Sequence, residues 1–420
     1  MIFGSYLCAI KDSLTQSCRV LKEGFQDGLE SGELESMGYC ANAHCALNFL
    51  SGQYLDDVEK PQDLYIQELA NKKLQTSWTY SQFWYQCVKN LITSERRERA
   101  FDFEALDEPA ILQELLDSNS GTTLYAYYLS KGILHLFFSE WTLASSQFQQ
   151  AQQYAASIGG YQNFVLSFYY SLALIRDTSV AMPQALRLET VAQNQNRLAP
   201  LAQICAENYQ HKFDLVEAER YRLLDQKLEA IDYYERAISG AKANKFIQEE
   251  SLANELLAKF YLDWGKEKVA AVYMQEAYYC YSRWGAKAKI ADLESRYLDL
   301  LRPVLQPSAS SSDVLTPLMT IAAPTATIHT STRHRRSATN FNQTLDFASI
   351  LKASQALSGI IHMDELLCQL TQIILQNSGA DRCALLLPDD AGEWQLRAYA
   401  TSNETQLCSE SLASRSDLPI

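Results

Sequence analysis

Three groups of side chains have the types and the spacing that metal binding or acid–base catalysis requires. Cys40, His44 and Cys45 supply thiol and imidazole groups, and Cys40 and His44 share one helical face at a spacing of four residues. A closed zinc site needs four ligands and no second pair is present at a suitable spacing, so we expect buried thiols beside a polar partner. The adjacent acidic pairs Asp56-Asp57 and Glu249-Glu250 point in different directions on a helix. This arrangement predicts solvated surface carboxylates instead of a general acid and base.

Single histidines and a run of aromatic residues are further candidates. His135 and His211 stand alone in helical patterns, so we expect them to be packed or hydrogen-bonded and not catalytic. An aromatic set near the end of the helical region has two interpretations. Concave faces of helical arrays bind peptides through aromatic residues, whereas aromatic residues at helical spacing usually form core. We favour the core for the members of this set: Tyr278, Tyr279, Tyr281 and Trp284.

The sequence contains no phosphate-binding loop and no kinase motif. Gly265-Lys266 is followed by Glu267, and Phe260 stands where the first glycine of a phosphate-binding loop belongs. No HRD or DFG element is present, and none of the six histidines stands in a phosphoacceptor box, since His362 is followed by a methionine. The sequence therefore predicts no catalytic, cofactor-binding or metal-ligating residue, and a protein that is not an enzyme.

An internal repeat predicts the elements that hold these residues. Residues 218–241 and 258–281 match at an offset of about 40 residues. Small and aromatic residues recur at the matched positions: Ala218/Ala258, Tyr221/Tyr261, Ala230/Ala270, Tyr233/Tyr273 and Ala237/Ala277. Small residues let two helices approach closely, and aromatic residues fill the gap beside them. Because such a unit buries its apolar face only against neighbouring units, the sequence predicts a stacked array of helix pairs.

The helical pattern extends over residues 1–305. A degenerate third copy of the repeat fits at Gly132, His135, Ala144, Phe148 and Ala151. Turn residues at 119–121, at Gly159-Gly160 and at Gly240 divide this region into helices of ordinary length. The predicted fold class is mainly α, with no strand between residues 120 and 300. We expect Tyr221, Ala230, Tyr234, Ala237 and their counterparts 40 residues later to be buried together.

Composition narrows the class of protein. The net charge of −14 argues against a nucleic-acid-binding surface, which needs clustered Lys and Arg. No run of about 18 apolar residues is present, so no membrane span is expected. The sequence shows no export signal, and its ten cysteines form no CxxC pair. These features predict a cytoplasmic protein with buried thiols.

Residues 306–344 change character abruptly. Ser and Thr make up roughly a third of this segment, which has three prolines and no sustained period, as is typical of a disordered linker. Its basic group Arg333–Arg336 has two interpretations: solvated charges in a tether, which we favour, or a contact site for an anionic partner.

Residues 345–420 again show the sequence patterns of helices and strands. We predict a helix over Leu345–Ser358 and a second one from Asp364 to Gly379, with an apolar stripe at Leu366, Leu370, Ile373 and Ile374. The apolar run Cys383–Pro388 predicts a buried strand, and Trp394–Ala400 alternates like a half-exposed one. Asp389–Gly392 would be the hairpin turn between them, followed by a polar tail.

The repeat positions resemble the tetratricopeptide consensus, in which a small residue, Tyr, Ala, an aromatic residue and Ala recur at fixed places. In the middle copy these are Ala218, Tyr221, Ala230, Tyr234 and Ala237. The consensus Trp-Leu-Gly opening and the Pro after the second helix are missing, and the spacing is about six residues longer than the standard unit. The array is therefore tetratricopeptide-like, with longer helices.

Two blocks resemble the middle of large bacterial multi-kinases. They are residues 273–297, with Trp284–Ala286 as the most specific part, and residues 345–387. Those proteins carry a Ser/Thr kinase domain, an AAA-type NTPase domain, a tetratricopeptide-like region, a GAF sensor domain and a histidine kinase, in this order. The resemblance implies an internal fragment of such a protein.

The domain organisation implied by this resemblance has three parts. They are a tetratricopeptide-like region over 1–305, a linker over 306–344 and the first part of a truncated α/β GAF domain over 345–420. It implies a non-catalytic scaffold and sensor portion of a signalling kinase. Its partners would be proteins, bound through the array, with weak self-association through the helices before the GAF strands. The alternatives are a subunit with kinase activity and a pure adaptor.

No cofactor is expected for the sensor part. Cys383 and Cys408 lie in the GAF-like portion, but the family's chromophore-bearing cysteine lies on a later segment. We therefore expect residues 345–420 to bind neither cyclic nucleotides nor tetrapyrroles.

Overall fold

Helices that bury one face against their neighbours make up almost all of the described residues before residue 306. The computed structural model describes residues 12–93, 107–178, 183–305, 382–388, 394–401 and 405–411. These residues divide into two units, one ending at Arg302 and one beginning at Pro303. In chain order the helices are α1 (Leu14–Ser31), α2 (Leu34–Leu50), α3 (Leu55–Asn71), α4 (Gln75–Ile92), α5 (Glu108–Asp117), α6 (Gly121–Phe137), α7 (Trp141–Gln153), α8 (Tyr161–Arg176), α9 (Gln184–Ile204), α10 (Ala206–Leu223), α11 (Lys227–Ala243), α12 (Ile247–Asp263), α13 (Glu267–Trp284), α14 (Lys287–Arg296) and α15 (Leu298–Leu305).

The turns between helices recur at a fixed spacing. Asp225, Lys245, Gly265 and Gly285 each adopt a positive φ, and they follow one another every 20 residues. In each turn the next residue donates its N–H to the carbonyl five residues earlier, for example Gln226 to Tyr221 at 2.9 Å. This bond closes the end of the helix in the Schellman arrangement. Two helices and two such turns give the 40-residue period that the sequence predicts.

The predicted repeat register is confirmed at its small residues. Ala218, Ala230 and Ala237 are buried, and so are their counterparts 40 residues later. Tyr234 and Met274, which occupy matching positions, are also buried. Because an alanine stands at each close approach, α11 packs on α10, and α13 packs on α12 in the same way.

Two details of the predicted register are wrong. Tyr221 and Tyr261 are half-buried, because each lies flat against a tyrosine of the following helix at the edge of its hairpin. Gly240 is not a turn residue but lies inside α11, where a Cβ would approach the Cβ of His211 to 3.1 Å. The turn comes five residues later, at Lys245.

The degenerate third copy is also confirmed. Gly132, His135, Ala144, Phe148 and Ala151 are all buried, on α6 and α7. A Cβ on Gly132 would lie 2.5 Å from the ring of Phe148, so the glycine makes room for that ring. The described residues between 120 and 300 contain no strand.

The even-numbered helices from α2 to α12 form the inner layer of the array. Each of them contacts the next one, from α2 and α4 through to α10 and α12. Aromatic rings fill the space that these helices enclose, with ring centroids 5–7 Å apart: Phe49, Trp84, Phe137, Phe148, Tyr169, Tyr281 and Trp284. The inner face is therefore a packed core over the described residues.

The second unit contains a small antiparallel sheet. Strand β1 (Arg382–Pro388) pairs with β2 (Trp394–Thr401), which pairs with β3 (Thr405–Ser411), in the order β1-β2-β3. Both predicted strands are confirmed, whereas β3 lies in the segment predicted as a polar tail. Burial of the whole first strand is contradicted at Ala384, which is exposed.

Several predictions lie outside the described residues: the linker over 306–344 with its basic group, both helices between 345 and 379, and the turn at Asp389–Gly392. In the part of the chain that the structure describes, every helix is too short or too polar to cross a membrane.

Candidate functional site

The inner helices carry charged side chains in a place where the array is otherwise apolar. Glu219 on α10 and Glu249 and Glu255 on α12 are all buried. An isolated carboxylate in such surroundings is strongly unfavourable unless it is paired and hydrogen-bonded. Each of the three is held by cations and by a tyrosine hydroxyl, so they form three related ionic clusters.

The Glu249 cluster joins three inner helices. Lys212 Nζ on α10 lies 2.7 Å from Glu249 Oε2, and His211 Nε2 contacts the same oxygen. Tyr169 on α8 donates its hydroxyl to Glu249 Oε1 at 3.4 Å. The prediction that Glu249 and Glu250 are solvated surface carboxylates is therefore wrong, because α12 is an inner helix with both residues buried.

Burial sets the charge states in this cluster. Burial and, next, the charge of Lys212 lower the pKa of His211 to about 4, against the opposing effect of Glu249. Burial also lowers the pKa of Lys212 and raises that of Glu249, but the charges of Lys212 and His211 outweigh burial and leave the pKa of Glu249 below its usual value. At neutral pH the imidazole of His211 is therefore neutral, and Lys212 is the neighbour that most favours the charged form of Glu249.

The Glu219 cluster is a bidentate pair with two further donors. Arg176 on α8 donates through Nε to Oε2 at 2.8 Å and through Nη2 to Oε1 at 2.6 Å. Arg222 and the hydroxyl of Tyr234 also donate to this carboxylate. Burial raises the pKa of Glu219, but the two guanidinium charges outweigh it and lower the pKa to about 2.

The Glu255 cluster reaches the turn between α6 and α7. Lys259 and Lys289 donate to Glu255 Oε1 at 2.7 and 2.9 Å, and Tyr281 donates to Oε2 at 2.8 Å. Lys259 also donates to Ser139 Oγ at 2.6 Å. Burial lowers the pKa of Lys259 to about 8, against the opposing effect of Glu255.

The Ser139–Lys259 contact has the components of a serine nucleophile and a lysine base. Ser139 is half-exposed and has a positive φ of 62°. The N–H groups beside it are already used, since Ser139 donates to Leu136 and Glu140 donates to His135, both at 2.9 Å. The N–H groups of Ser139 and Glu140 are therefore not free to act as oxyanion donors, and the positive φ belongs to the same turn geometry as in the other hairpins.

The histidine and cysteine candidates are packed side chains. Cys40, His44 and Cys45 are buried as predicted, and His44 packs edge-on against the ring of Tyr65 at 5.4 Å. Burial lowers the pKa of His44 to about 4 and raises that of Cys45 to about 12. In the described part of the chain, no three His, Cys, Asp or Glu side chains are arranged to hold a metal ion.

His135 is hydrogen-bonded, as predicted, through Nδ1 to Glu140 at 2.7 Å.

The remaining candidates divide between core and surface. Tyr278, Tyr281 and Trp284 are buried and Tyr279 is half-buried, which confirms the core interpretation for three of the four. Asp57 is exposed and Asp56 half-exposed at the start of α3, where Asp57 pairs with Lys60 at 2.9 Å.

An aromatic surface on the last two hairpins was not foreseen. Tyr221 stacks on Tyr233 with ring centroids 5.2 Å apart, and Tyr261 stacks on Tyr273 at 5.6 Å, which is the same contact one repeat later. Trp264 extends the second stack, with its ring 6.2 Å from that of Tyr261. The matched pairs Tyr221/Tyr261 and Tyr233/Tyr273 in the repeat were the signal that could have revealed these stacks.

Cations and exposed leucines complete this surface. Lys227 and Lys266 lie over the ring of Trp264 at 5.3 and 5.6 Å. Leu224 and Leu228 stand on the neighbouring turn, and Leu228 is 73% exposed. We call the surface made by the following residues the aromatic edge: Tyr221, Leu224, Leu228, Tyr233, Tyr261, Trp264 and Tyr273.

Comparison with known proteins gives one partial similarity. No model of a known protein family matches the sequence. Over 61 residues the chain is 41% identical to Hybrid signal transduction histidine kinase G of Dictyostelium discoideum. The matched stretch is 14% of this chain and 2% of that protein, so the chain spans a very small part of that kinase's length. The similarity links part of this chain to a signal-transduction kinase.

Proposed function

We propose that the chain is a non-catalytic scaffold portion of a signal-transduction kinase, and that its helical array binds a protein partner. The observation that carries this proposal is the 40-residue helical repeat, with its turns spaced every 20 residues and its tyrosine stacks repeated in the last two hairpins. Arrays of this type, to which the tetratricopeptide family belongs, present extended binding surfaces. The partial similarity to a histidine kinase supports the signalling context.

The aromatic edge is the surface that we assign to the partner. The inner face is filled by aromatic rings and by ionic clusters whose charges pair with one another. The edge, in contrast, combines Trp and Tyr with Arg220 and Arg236, which lie over the rings of Tyr221 and Tyr233. Trp, Tyr and Arg are the residues enriched at interaction hot spots. A partner that covers Leu224, Leu228 and Trp264 with apolar side chains would remove an exposed apolar surface from water.

The small sheet of the second unit is assigned to the beginning of a GAF-type sensor module. Two observations support this assignment: the sequence predicts helices before the strands, and the strands form the antiparallel sheet β1-β2-β3.

The rival function, a subunit with phosphotransfer activity, is tested by incubating the purified full chain with labelled ATP. Turnover above background would favour it.

Partner capture by the full chain tests the scaffold function. The chain is compared with a Leu228→Asp/Trp264→Ala variant and with a control variant, Leu64→Asp, which changes an exposed leucine on α3. We expect signalling proteins that are captured by the wild type and by the control to be lost from the edge variant. Equal capture by all three would contradict the assignment of the edge.

A further inference from the structure

Two ends of the array that are far apart in the sequence meet at one turn. Gln248 Nε2, at the start of α12, donates to the carbonyl of Leu50, at the end of α2, at 2.8 Å. The ring of Phe49 lies 5.9 Å from that of Trp284, at the end of α13. These contacts join residues about 200 positions apart, whereas the units of an open array contact only their neighbours.

Two glycines mark where this contact is tight. Gly52 has a φ of +77°, and a Cβ there would overlap the side chain of Gln248 and lie 3.1 Å from the amide nitrogen of Ile247. Gly285 has a φ of +88°, and a Cβ there would lie 2.8 Å from the ring of Tyr54. The turn Ser51–Tyr54 therefore fits between the turn before α12 and the turn after α13.

Two other glycines have the same backbone conformation without the contact. Gly32 has a φ of +79° and Gly265 a φ of +73°, and a Cβ on either would have no atom within 4 Å. The left-handed conformation therefore explains a glycine at all four positions, but only Gly52 and Gly285 also need the space. Comparing Gly52 and Gly285 with Gly32 and Gly265 therefore separates the effect of the backbone conformation from the effect of the contact.

We propose that the turn Ser51–Tyr54 is a clasp. By contacting the turn before α12 and the turn after α13, it links the first of the inner helices, α2, to the last one, α12. With the clasp closed, α2 is held against both α12 and α13, so the helices of the array open and unfold as one cooperative unit. An open helical array of this length has no such link, and its end repeats open more easily than its middle.

Native-state hydrogen exchange of the full chain, read by mass spectrometry, tests the clasp. The variants are Gly52→Ala and Gly285→Ala, with Gly32→Ala and Gly265→Ala as controls that carry the same left-handed strain. We expect exchange of the α1–α3 amides, relative to that of α8–α10, to rise at least tenfold in the two clasp variants. The two controls should keep the wild-type ratio.

A milder double variant covers the case in which a glycine variant fails to fold. Tyr54→Ala with Gln248→Met removes the ring against Gly285 and the hydrogen bond to Leu50, and it introduces no left-handed alanine. The same relative increase in α1–α3 exchange is expected, together with two separate denaturant transitions instead of one. Clasp variants that match their controls in both the exchange ratio and the single transition would overturn the proposal.

Discussion

His211 gives the array a dependence on pH that can be worked out from its surroundings. Glu249, Lys212 and the ring of Phe246 contact its buried imidazole, and its pKa of about 4 lies below the ordinary value of 6.5. Between these two values the unfolded chain binds a proton that the folded chain does not. The free energy of unfolding should therefore fall as pH falls from about 6.5 to about 4.

Urea denaturation across this range tests the prediction. His44, whose pKa is also lowered to about 4, contributes in the same direction. His211→Gln should make the fall in stability with decreasing pH less steep, and His44→Gln/His211→Gln should remove most of it. A double variant as steep as the wild type would mean that other groups carry the dependence.

The ion pair of Glu219 with Arg176 should be worth far more than the surface pairs. Glu219→Gln leaves a buried guanidinium without its counter-charge, so we expect a loss of about 3–5 kcal/mol in the free energy of unfolding. Asp57→Asn breaks an exposed pair with Lys60, which solvent screens, and should have little effect on the free energy of unfolding. Equal effects in urea denaturation would show that the buried pair is not intact in solution.

The ionic clusters also show what sequence reasoning misses at this scale. Glu249-Glu250 looks like surface because adjacent carboxylates usually are, and because its partner Lys212 lies on another helix. Which face of α12 is inner depends on how the hairpins curve around the aromatic core, and local sequence does not contain that information. The lone histidines His135 and His211 are hydrogen-bonded, as predicted, because a buried imidazole needs only one partner.

At the scale of elements, the repeat predicts how tightly the helices approach. Ala230 and Ala270 are completely buried at matching positions of α11 and α13. Replacing either with leucine should overpack the contact between the helices of its hairpin and destabilise the array by about 1–3 kcal/mol. Thermal melting measures this. Unchanged melting temperatures in both variants would contradict the register.

The helices could be predicted better than the strands. Small and aromatic residues recurring every 40 positions predict the hairpins, since each matched alanine marks one close approach. Strand β3 was missed because Thr405–Ser411 carries a single large apolar residue, Leu407, and its pairing with β2 decides its structure. The clasp has no local signal either, because Gly52 and Gly32 look alike until the contact is known.

At the scale of the whole molecule, residues 306–344, which the sequence predicts to be a linker, should be the first to be cut by proteases. Its Ser, Thr and Pro cannot bury enough apolar area to offset the entropy of ordering. Limited trypsin digestion of the full chain should cleave at Arg333–Arg336 before any site in the helices. Protection of these arginines would mean that the basic group is docked on a partner surface.

Hydrogen exchange of the full chain with and without a captured partner tests the central claim most directly, because it shows which face of the array the partner covers. We predict slower exchange in residues 221–233 and 261–273, on the aromatic edge, and unchanged exchange in the inner helices α2 and α8. Protection confined to α2 and α8, or exchange that the partner does not change anywhere in the array, would contradict the account.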